Sequence, residues 1–259
     1  MKKISIRLPI LQLFKLLLIP LFLFIIFFTF YSNVYKKVTI SFWDEEAWIS
    51  HGYFFELLVK RDFNSPLWGR RLLQPILTDY MYGATIYKNY LQEKIIRKDK
   101  KYDLAKYLTE KGFYDDESEI TNEYLQYKNN LDYFPDWGPK DFEISTQKLF
   151  KKYGSKFQNK IDLLFLVRRI NVLLLSMTIV IVYFISLNLF GIFPSLLTSF
   201  LFGLNDFIIM ASLRAHTEGL FLFLFNLCLL ILIIFIKKRK LVYLMIFGIL
   251  AGLITQTKL

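Results

Sequence analysis

The stretch LLLIPLFLFIIFFTF, residues Leu16–Phe30, decides the class of fold. It contains no charged residue, and a long polar region follows it. About 20 predominantly apolar residues are needed for an α-helix to cross the hydrocarbon core of a bilayer. The segment Leu11–Tyr31 therefore predicts a membrane-spanning helix. Because no small-residue cleavage site follows, we expect an uncleaved signal anchor.

Further apolar segments lie in the C-terminal part of the chain, and the sequence as a whole is 54% hydrophobic. These segments are Ile170–Phe190, Ser195–Ala211, Thr217–Ile236 and Leu241–Thr255. The pattern predicts an all-α integral membrane protein with about five transmembrane helices. We divide the chain into the tail and anchor (1–31), one large loop (32–162) and spans two to five (163–259).

The formal charge of +11 is distributed unevenly along the chain. Residues 36–160 hold 21 Lys and Arg against 19 Asp and Glu, so the large loop is nearly neutral. The excess lies at the N-terminus and in Lys237–Lys240, which are short flanks of apolar segments. By the positive-inside rule, we expect the N-terminus to be cytoplasmic and the large loop to be extracytoplasmic. We expect a multi-pass protein of the cell (plasma) membrane. This distribution argues against nucleic acid as a partner.

Two amphipathic segments follow the anchor. Ala47–Val59 and Leu72–Tyr82 each predict a helix, the second closed by Gly83, and both are rich in aromatic residues. Such helices are typical of the headgroup layer of a membrane. The single cysteine, Cys228, excludes an intramolecular disulfide and a cysteine metal site.

The pair Asp44-Glu45 lies just beyond the anchor. One interpretation is a helix-capping box in which Ser41 is the cap. The other is a carboxylate at the membrane surface that accepts a proton from a hydroxyl or an amine. The local sequence leaves both open.

A second charged cluster, Arg214–Glu218, lies between spans three and four and is expected on the same face as Asp44. It could be an ordinary loop in which Thr217 caps span four and Arg214 pairs with Glu218. Alternatively, Glu218 holds a divalent metal while Arg214 or His216 binds a phosphate. Two arginine pairs, Arg70-Arg71 and Arg168-Arg169, could either bind a phosphate or contact lipid headgroups. Lys258 is a further candidate for phosphate binding.

The order of several short motifs resembles one family of membrane enzymes. After the first span come Trp43-Asp44-Glu45, then Gln74-Pro75 before an apolar helix that reaches Tyr82-Gly83. Next come Arg169, Tyr183 and Leu189-Phe190-Gly191, then Ser212–Glu218, and finally Gly252-Leu253 with Thr257-Lys258. The chain resembles the N-terminal half of a GT-C-fold glycosyltransferase related to protein O-mannosyltransferases and lipid A aminoarabinose transferases. The resemblance covers nearly the whole chain except about 84–160, which looks like an insertion, and it implies that the chain is part of a longer protein.

The resemblance implies a partial GT-C fold and transfer of a sugar, with inversion, from a polyprenyl-phosphate donor to a lipid, glycan or protein acceptor. Asp44 would be the general base, and Glu45 would support Asp44 or the acceptor. Glu218 would hold a divalent metal, Mg²⁺ or Mn²⁺, or position the donor phosphate through a basic neighbour. The residues expected to bind that phosphate are Arg71, Arg214, His216 and Lys258.

Two other classes of function are open to this sequence. A non-catalytic receptor or assembly subunit would bind a partner through the loop 84–160, and Asp44 would then only cap a helix. A transporter would place its charges at mid-membrane depth, whereas these charges cluster at the outer boundary.

Overall fold

The structure is a computed structural model. It describes residues 12, 14–38, 40–41, 45, 48–65, 68, 77–99, 101–111, 113, 143–144 and 158–257. Three of the predicted site residues, Asp44, Arg71 and Lys258, lie outside the described residues.

The described chain is almost entirely helical. The helices are α1 (Ile19–Val34, preceded by a π-helical turn Phe14–Leu18), α2 (Phe54–Lys60), α3 (Leu77–Arg97), α4 (Leu104–Glu110), α5 (Gln158–Phe190), α6 (Ile192–Gly203), α7 (Asp206–Leu213), α8 (Thr217–Lys238) and α9 (Leu241–Thr255). A 3₁₀ turn at His51–Tyr53 precedes α2. The two-residue strands β1 (Ile40–Ser41) and β2 (Glu143–Ile144) pair antiparallel.

Among the described residues, three helical segments are long and apolar enough to cross a membrane: Phe14–Val34, Lys160–Phe190 and Thr217–Lys238. The count becomes four if the pair α6 and α7, which is bent by 61°, is one span. Helix α9 is apolar but has only 15 residues. The all-helical fold predicted from the sequence is therefore confirmed, but the described residues hold three or four candidate membrane spans by length and composition, rather than about five.

The apolar segment Ser195–Ala211, predicted to be the third span, is divided between two helices that meet at a bend. Helix α6 ends at Gly203, and Asn205 caps a separate helix by accepting a hydrogen bond from the backbone N–H of Ile208 at 3.1 Å. The extended backbone of Asn205, with ψ of 116°, turns the chain before α7. Asparagine favours such N-cap positions because its side chain replaces a missing backbone acceptor.

Helix α5 is the centre of the bundle and packs against α1, α6 and α8. Tyr183, late in α5, donates a hydrogen bond to the carbonyl of Lys15 at 3.1 Å, whereas Arg168, early in α5, bonds the carbonyl of Tyr35 beyond α1. These contacts make α1 and α5 antiparallel. Lys237, late in α8, donates to Asn188 Oδ1 at 3.1 Å, so the C-terminal ends of α5 and α8 lie together. We call that end of the bundle the basic end and the opposite end, at Arg168, the site end.

A small aromatic core sits on the first turns of α5 at the site end. Side chains from the 3₁₀ turn, α2, α3 and α4 form it together with Leu163, Leu164 and Val167 of α5. Glu56 is buried within it and accepts hydrogen bonds from the N–H of Leu104 at 2.6 Å and from the hydroxyl of Tyr90. The N-terminal part of the predicted insertion 84–160 is thus built into the fold.

Helix α3 does not end at Gly83 as the sequence predicted, because it continues to Arg97. Gly83 allows the backbone of α3 to pass close to the backbone of the 3₁₀ turn, and it does not terminate the helix. A Cβ atom on Gly83 would lie 2.1 Å from the carbonyl oxygen of Gly52 and 2.5 Å from Cβ of Phe55. The predicted helix Ala47–Val59 also differs, since the 3₁₀ turn that contains Gly52 interrupts it.

Candidate functional site

Glu45 and Arg168 form a fully buried ion pair at the site end, with both side chains 0% exposed. Arg168 Nε donates to Glu45 Oε1 at 2.8 Å, and its Nη2 donates to Oε2 at 2.7 Å. This two-point geometry suits guanidinium and carboxylate, whose planar groups match. The ion pair fixes the segment that follows α1 against the central helix.

The remaining donors of Arg168 hold the chain between α1 and Glu45. Its Nη1 donates to the carbonyls of Tyr35 at 3.0 Å and Val38 at 2.8 Å. Contact with lipid phosphates, which the sequence suggested for both arginines, is therefore wrong for Arg168. Its neighbour Arg169 is exposed, and its Nε donates to Tyr35 Oη at 3.3 Å.

Three buried side chains hold the backbone of the short segment Arg214–His216, which we call the α7–α8 loop. The backbone N–H of Ala215 donates to Glu45 Oε1 at 2.6 Å. The hydroxyl of Tyr82 donates to the carbonyl of His216 at 2.6 Å, and Asn171 Nδ2 donates to the carbonyl of Arg214. The segment after α1 supplies Glu45, α3 supplies Tyr82 and α5 supplies Asn171. The two charged clusters predicted to share one face thus meet at Glu45 and Ala215.

Helix α8 begins directly after the α7–α8 loop. The residue at its N-cap is His216, which makes no capping hydrogen bond with its side chain, so Thr217 is the first helical residue rather than the predicted cap. His216 Nδ1 lies 3.3 Å from Glu218 Oε2. Glu218 is in the first helical turn, where the helix dipole favours a negative charge.

Tyr82 is fully buried between these groups. Burial raises the pKa of its phenol well above the usual range, and the nearby carboxylates of Glu45, Glu218 and Asp79 raise it further, while the hydrogen bond from Asn171 opposes the shift. The hydroxyl therefore keeps its proton at every physiological pH and remains a donor. It also follows that Glu45, Glu218 and Asp79 all lie close enough to act on one phenol.

Asp79 is a site residue that sequence reasoning missed. It is fully buried in the first turn of α3, beside the buried Thr78. The sequence shows only an acidic residue in an amphipathic helix, which usually faces solvent. The sequence feature that could have indicated Asp79 is its position near the start of a helix that follows the Gln74-Pro75 motif.

The end of α9 reaches the same region. The backbone N–H of Leu77, at the start of α3, donates to the carbonyl of Gln256 at 3.0 Å. Lys258 follows two residues later and, like Asp44 and Arg71, lies outside the described residues. The structure therefore brings together Glu45, Arg214, His216 and Glu218. Glu45 and Thr257, which are the described chain neighbours of Asp44 and Lys258, lie at this end of the bundle.

The described residues contain no group of three or more His, Cys, Asp or Glu side chains that could hold a metal ion. Glu218 and His216 offer an oxygen and a nitrogen 3.3 Å apart. Magnesium is commonly bound by one or two carboxylates together with substrate phosphates, so a single glutamate remains compatible with such a site.

Comparison of the chain with protein-family models, with curated proteins and with solved structures finds no match in any of the three.

Proposed function

We propose that the chain carries the active site of a GT-C-type glycosyltransferase. In this proposal it transfers a sugar from a polyprenyl-phosphate donor to an acceptor at the outer face of the plasma membrane, with inversion. It belongs to a partial GT-C fold in which α6–α7 and α9 complete five membrane spans. The N-terminus is cytoplasmic, and the site end faces outward.

One observation carries this proposal: the hydrogen bond from the N–H of Ala215 to Glu45 at 2.6 Å. It joins the segment of the acidic pair to the loop that bears Arg214, His216 and Glu218, although 170 positions separate the two partners. A base and a set of cationic groups at one end of an apolar bundle suit a donor whose long tail stays in lipid while its phosphate reaches the headgroup layer.

The proposed chemistry is a single displacement. Asp44 takes the proton from the hydroxyl or amine of the acceptor substrate while the oxygen or nitrogen of that substrate attacks the anomeric carbon of the sugar. The bond from that carbon to the phosphate oxygen breaks, and the electron pair leaves with the polyprenyl phosphate. Arg214 and His216, with Arg71 and Lys258, stabilise the charge of the departing phosphate. A divalent ion bound at Glu218 would add electrostatic stabilisation of that phosphate.

Glu45 has a narrower role in this scheme than Asp44. Arg168 and the N–H of Ala215 engage both of its carboxylate oxygens. Both oxygens are therefore occupied within the protein, and the side chain is fully buried, so it has no surface to offer an acceptor. We therefore assign Glu45 to support of Asp44 and of the α7–α8 loop, rather than to contact with the acceptor.

The test is transfer of radiolabelled sugar by the chain in lipid nanodiscs. Polyprenyl-phosphate mannose and a polyprenyl-phosphate pentose are offered together with membrane extracts as acceptors. We expect Asp44→Asn to lower the rate by at least about a hundredfold, the usual contribution of a general base. Membrane insertion and thermal stability should remain unchanged.

The matched control is Asp99→Asn, which neutralises an exposed carboxylate outside the membrane helices that pairs with Lys106 at 3.7 Å. This variant should transfer sugar at the rate of the unmodified chain. Equal rates for Asp44→Asn and Asp99→Asn would contradict the assignment of the base.

A second candidate function is that of a receptor or assembly subunit that binds a partner through the loop 84–160. Ile95 and Ile96, late in α3, are 74% and 78% exposed on a part of the chain outside the candidate spans. Exposed aliphatic side chains there favour a partner surface. If the chain is a receptor or assembly subunit, replacing both isoleucines by serine should abolish capture of the partner. If the chain is a glycosyltransferase, the same replacement should leave sugar transfer unchanged.

A further inference from the structure

The α7–α8 loop lies between two helices, and side chains from other parts of the chain bond three of its backbone polar groups. The carbonyl of Arg214 bonds Asn171, the N–H of Ala215 bonds Glu45, and the carbonyl of His216 bonds Tyr82. Buried backbone groups are usually paired within secondary structure. Here three long-range side chains replace that pairing at consecutive residues.

Tyr82 and Asn171 also bind each other, because Asn171 Nδ2 donates to Tyr82 Oη at 3.1 Å. Both side chains are fully buried. Asn171 lies on the central helix α5, and Tyr82 lies on α3, which packs on the aromatic core. Their contact ties an element of the membrane bundle to an element outside it at the point where the loop is held.

The close packing of α8 leaves the loop little freedom. A Cβ atom on Gly219 would lie 2.8 Å from the carbonyl oxygen of Ser212 and 3.4 Å from Asn171 Oδ1. The C-terminal end of α7 and the N-terminal end of α8 thus lie close together beside Asn171. These contacts fix the backbone of the loop, and the backbone in turn sets the directions in which the side chains of Arg214, His216 and Glu218 extend.

We propose that Tyr82 and Asn171 are positioning residues that, with Glu45, set the conformation of the α7–α8 loop and so direct Arg214, His216 and Glu218 toward the donor phosphate. The part of this proposal that concerns the phosphate rests on the proposed function, whereas the part that concerns the loop does not. Neither residue touches the reacting atoms. The hydroxyl of Tyr82 acts through the carbonyl of His216, and the amide of Asn171 acts through the carbonyl of Arg214.

The first measurement is hydrogen exchange of the peptide 213–218 in the full chain in nanodiscs. One variant, Tyr82→Phe, removes only the hydroxyl, and a separate variant, Asn171→Leu, removes the amide. We expect exchange of this peptide to rise about tenfold in each, the factor for about 1.4 kcal/mol of lost stabilisation. Peptides from α1 and from the basic end should be unchanged.

Tyr183→Phe is the matched control. Tyr183 is also fully buried and also donates its hydroxyl to a backbone carbonyl, but that carbonyl belongs to Lys15 near the basic end. This variant should leave exchange of the peptide 213–218 at the level of the unmodified chain. Unchanged exchange in both Tyr82→Phe and Asn171→Leu would overturn the proposal, whatever the chain catalyses.

The second measurement separates positioning from simple stability. In the transfer assay, Tyr82→Phe should lower kcat about tenfold and leave KM for the donor within about twofold, as expected when an interaction made only in the transition state is weakened. Raised exchange with unchanged kcat would overturn the positioning role. If the unmodified chain transfers no sugar, the proposed function fails, and the exchange result alone decides whether Tyr82 and Asn171 hold the loop.

Discussion

Replacing Arg168 by alanine is expected to destabilise the folded chain by about 3–5 kcal/mol, the range for breaking a buried ion pair by removing one partner. The variant leaves the carboxylate of Glu45 buried and without its guanidinium. It also removes the donors to the carbonyls of Tyr35 and Val38. Thermal unfolding in detergent, followed by circular dichroism and by protease resistance, measures the effect.

Arg169→Ala is the control for this prediction, because Arg169 is the adjacent arginine on the same helix and is exposed. Its removal should change stability by less than about 1 kcal/mol, as for exposed ionic groups. Similar unfolding temperatures for the two alanine variants would mean that the pair between Arg168 and Glu45 does not hold the site end together.

Replacing Gly83 by alanine should cost about 3 kcal/mol, the upper part of the usual range for overpacking. The added methyl would lie 2.1 Å from the carbonyl oxygen of Gly52, and a backbone atom cannot move aside as a flexible side chain can. Helix α3 would have to shift from the 3₁₀ turn, and Tyr82, one residue earlier, would shift with it. We expect a lower unfolding temperature and, through Tyr82, faster hydrogen exchange in the α7–α8 loop.

Gly248→Ala tests whether the effect comes from packing or from the loss of glycine itself. Gly248 lies in helix α9, and a Cβ atom there would meet nothing within 4 Å. Alanine favours helices over glycine by about 1 kcal/mol, so this variant should be as stable as the unmodified chain or slightly more stable. Equal loss of stability in both variants would contradict the close crossing of Gly52 and Gly83.

The sequence predicts the apolar helices well because membrane insertion depends on local composition. The segment Leu11–Tyr31 is long enough and apolar enough to predict a span without any tertiary information. The break at Asn205 was missed because hydropathy does not distinguish one long apolar helix from two that meet at a capped turn. The capping side chain of Asn205 was the available signal.

The site was harder to predict because its contacts join residues that are distant in sequence. Glu45 and Arg168 look locally like a helix-start acid and a headgroup-facing base, yet they form one ion pair across 123 positions. Tyr82 and Gly83 read as the end of an amphipathic helix, whereas both serve contacts with other segments. Charge patterns correctly placed Glu45 and the α7–α8 loop at one end of the bundle, but they did not reveal which groups hold them there.

The most direct test of the account is a distance between Asp44 and Glu218. Cys228 is the single cysteine of the chain, so Cys228→Ala gives a background for the paired substitutions Asp44→Cys and Glu218→Cys. We predict that a short bifunctional thiol reagent joins this pair within one chain in nanodiscs. A control pair of Asp44→Cys with Arg239→Cys should not be joined, because Arg239 follows α8 at the basic end. Labelling of both thiols without a link between positions 44 and 218 would contradict a shared site.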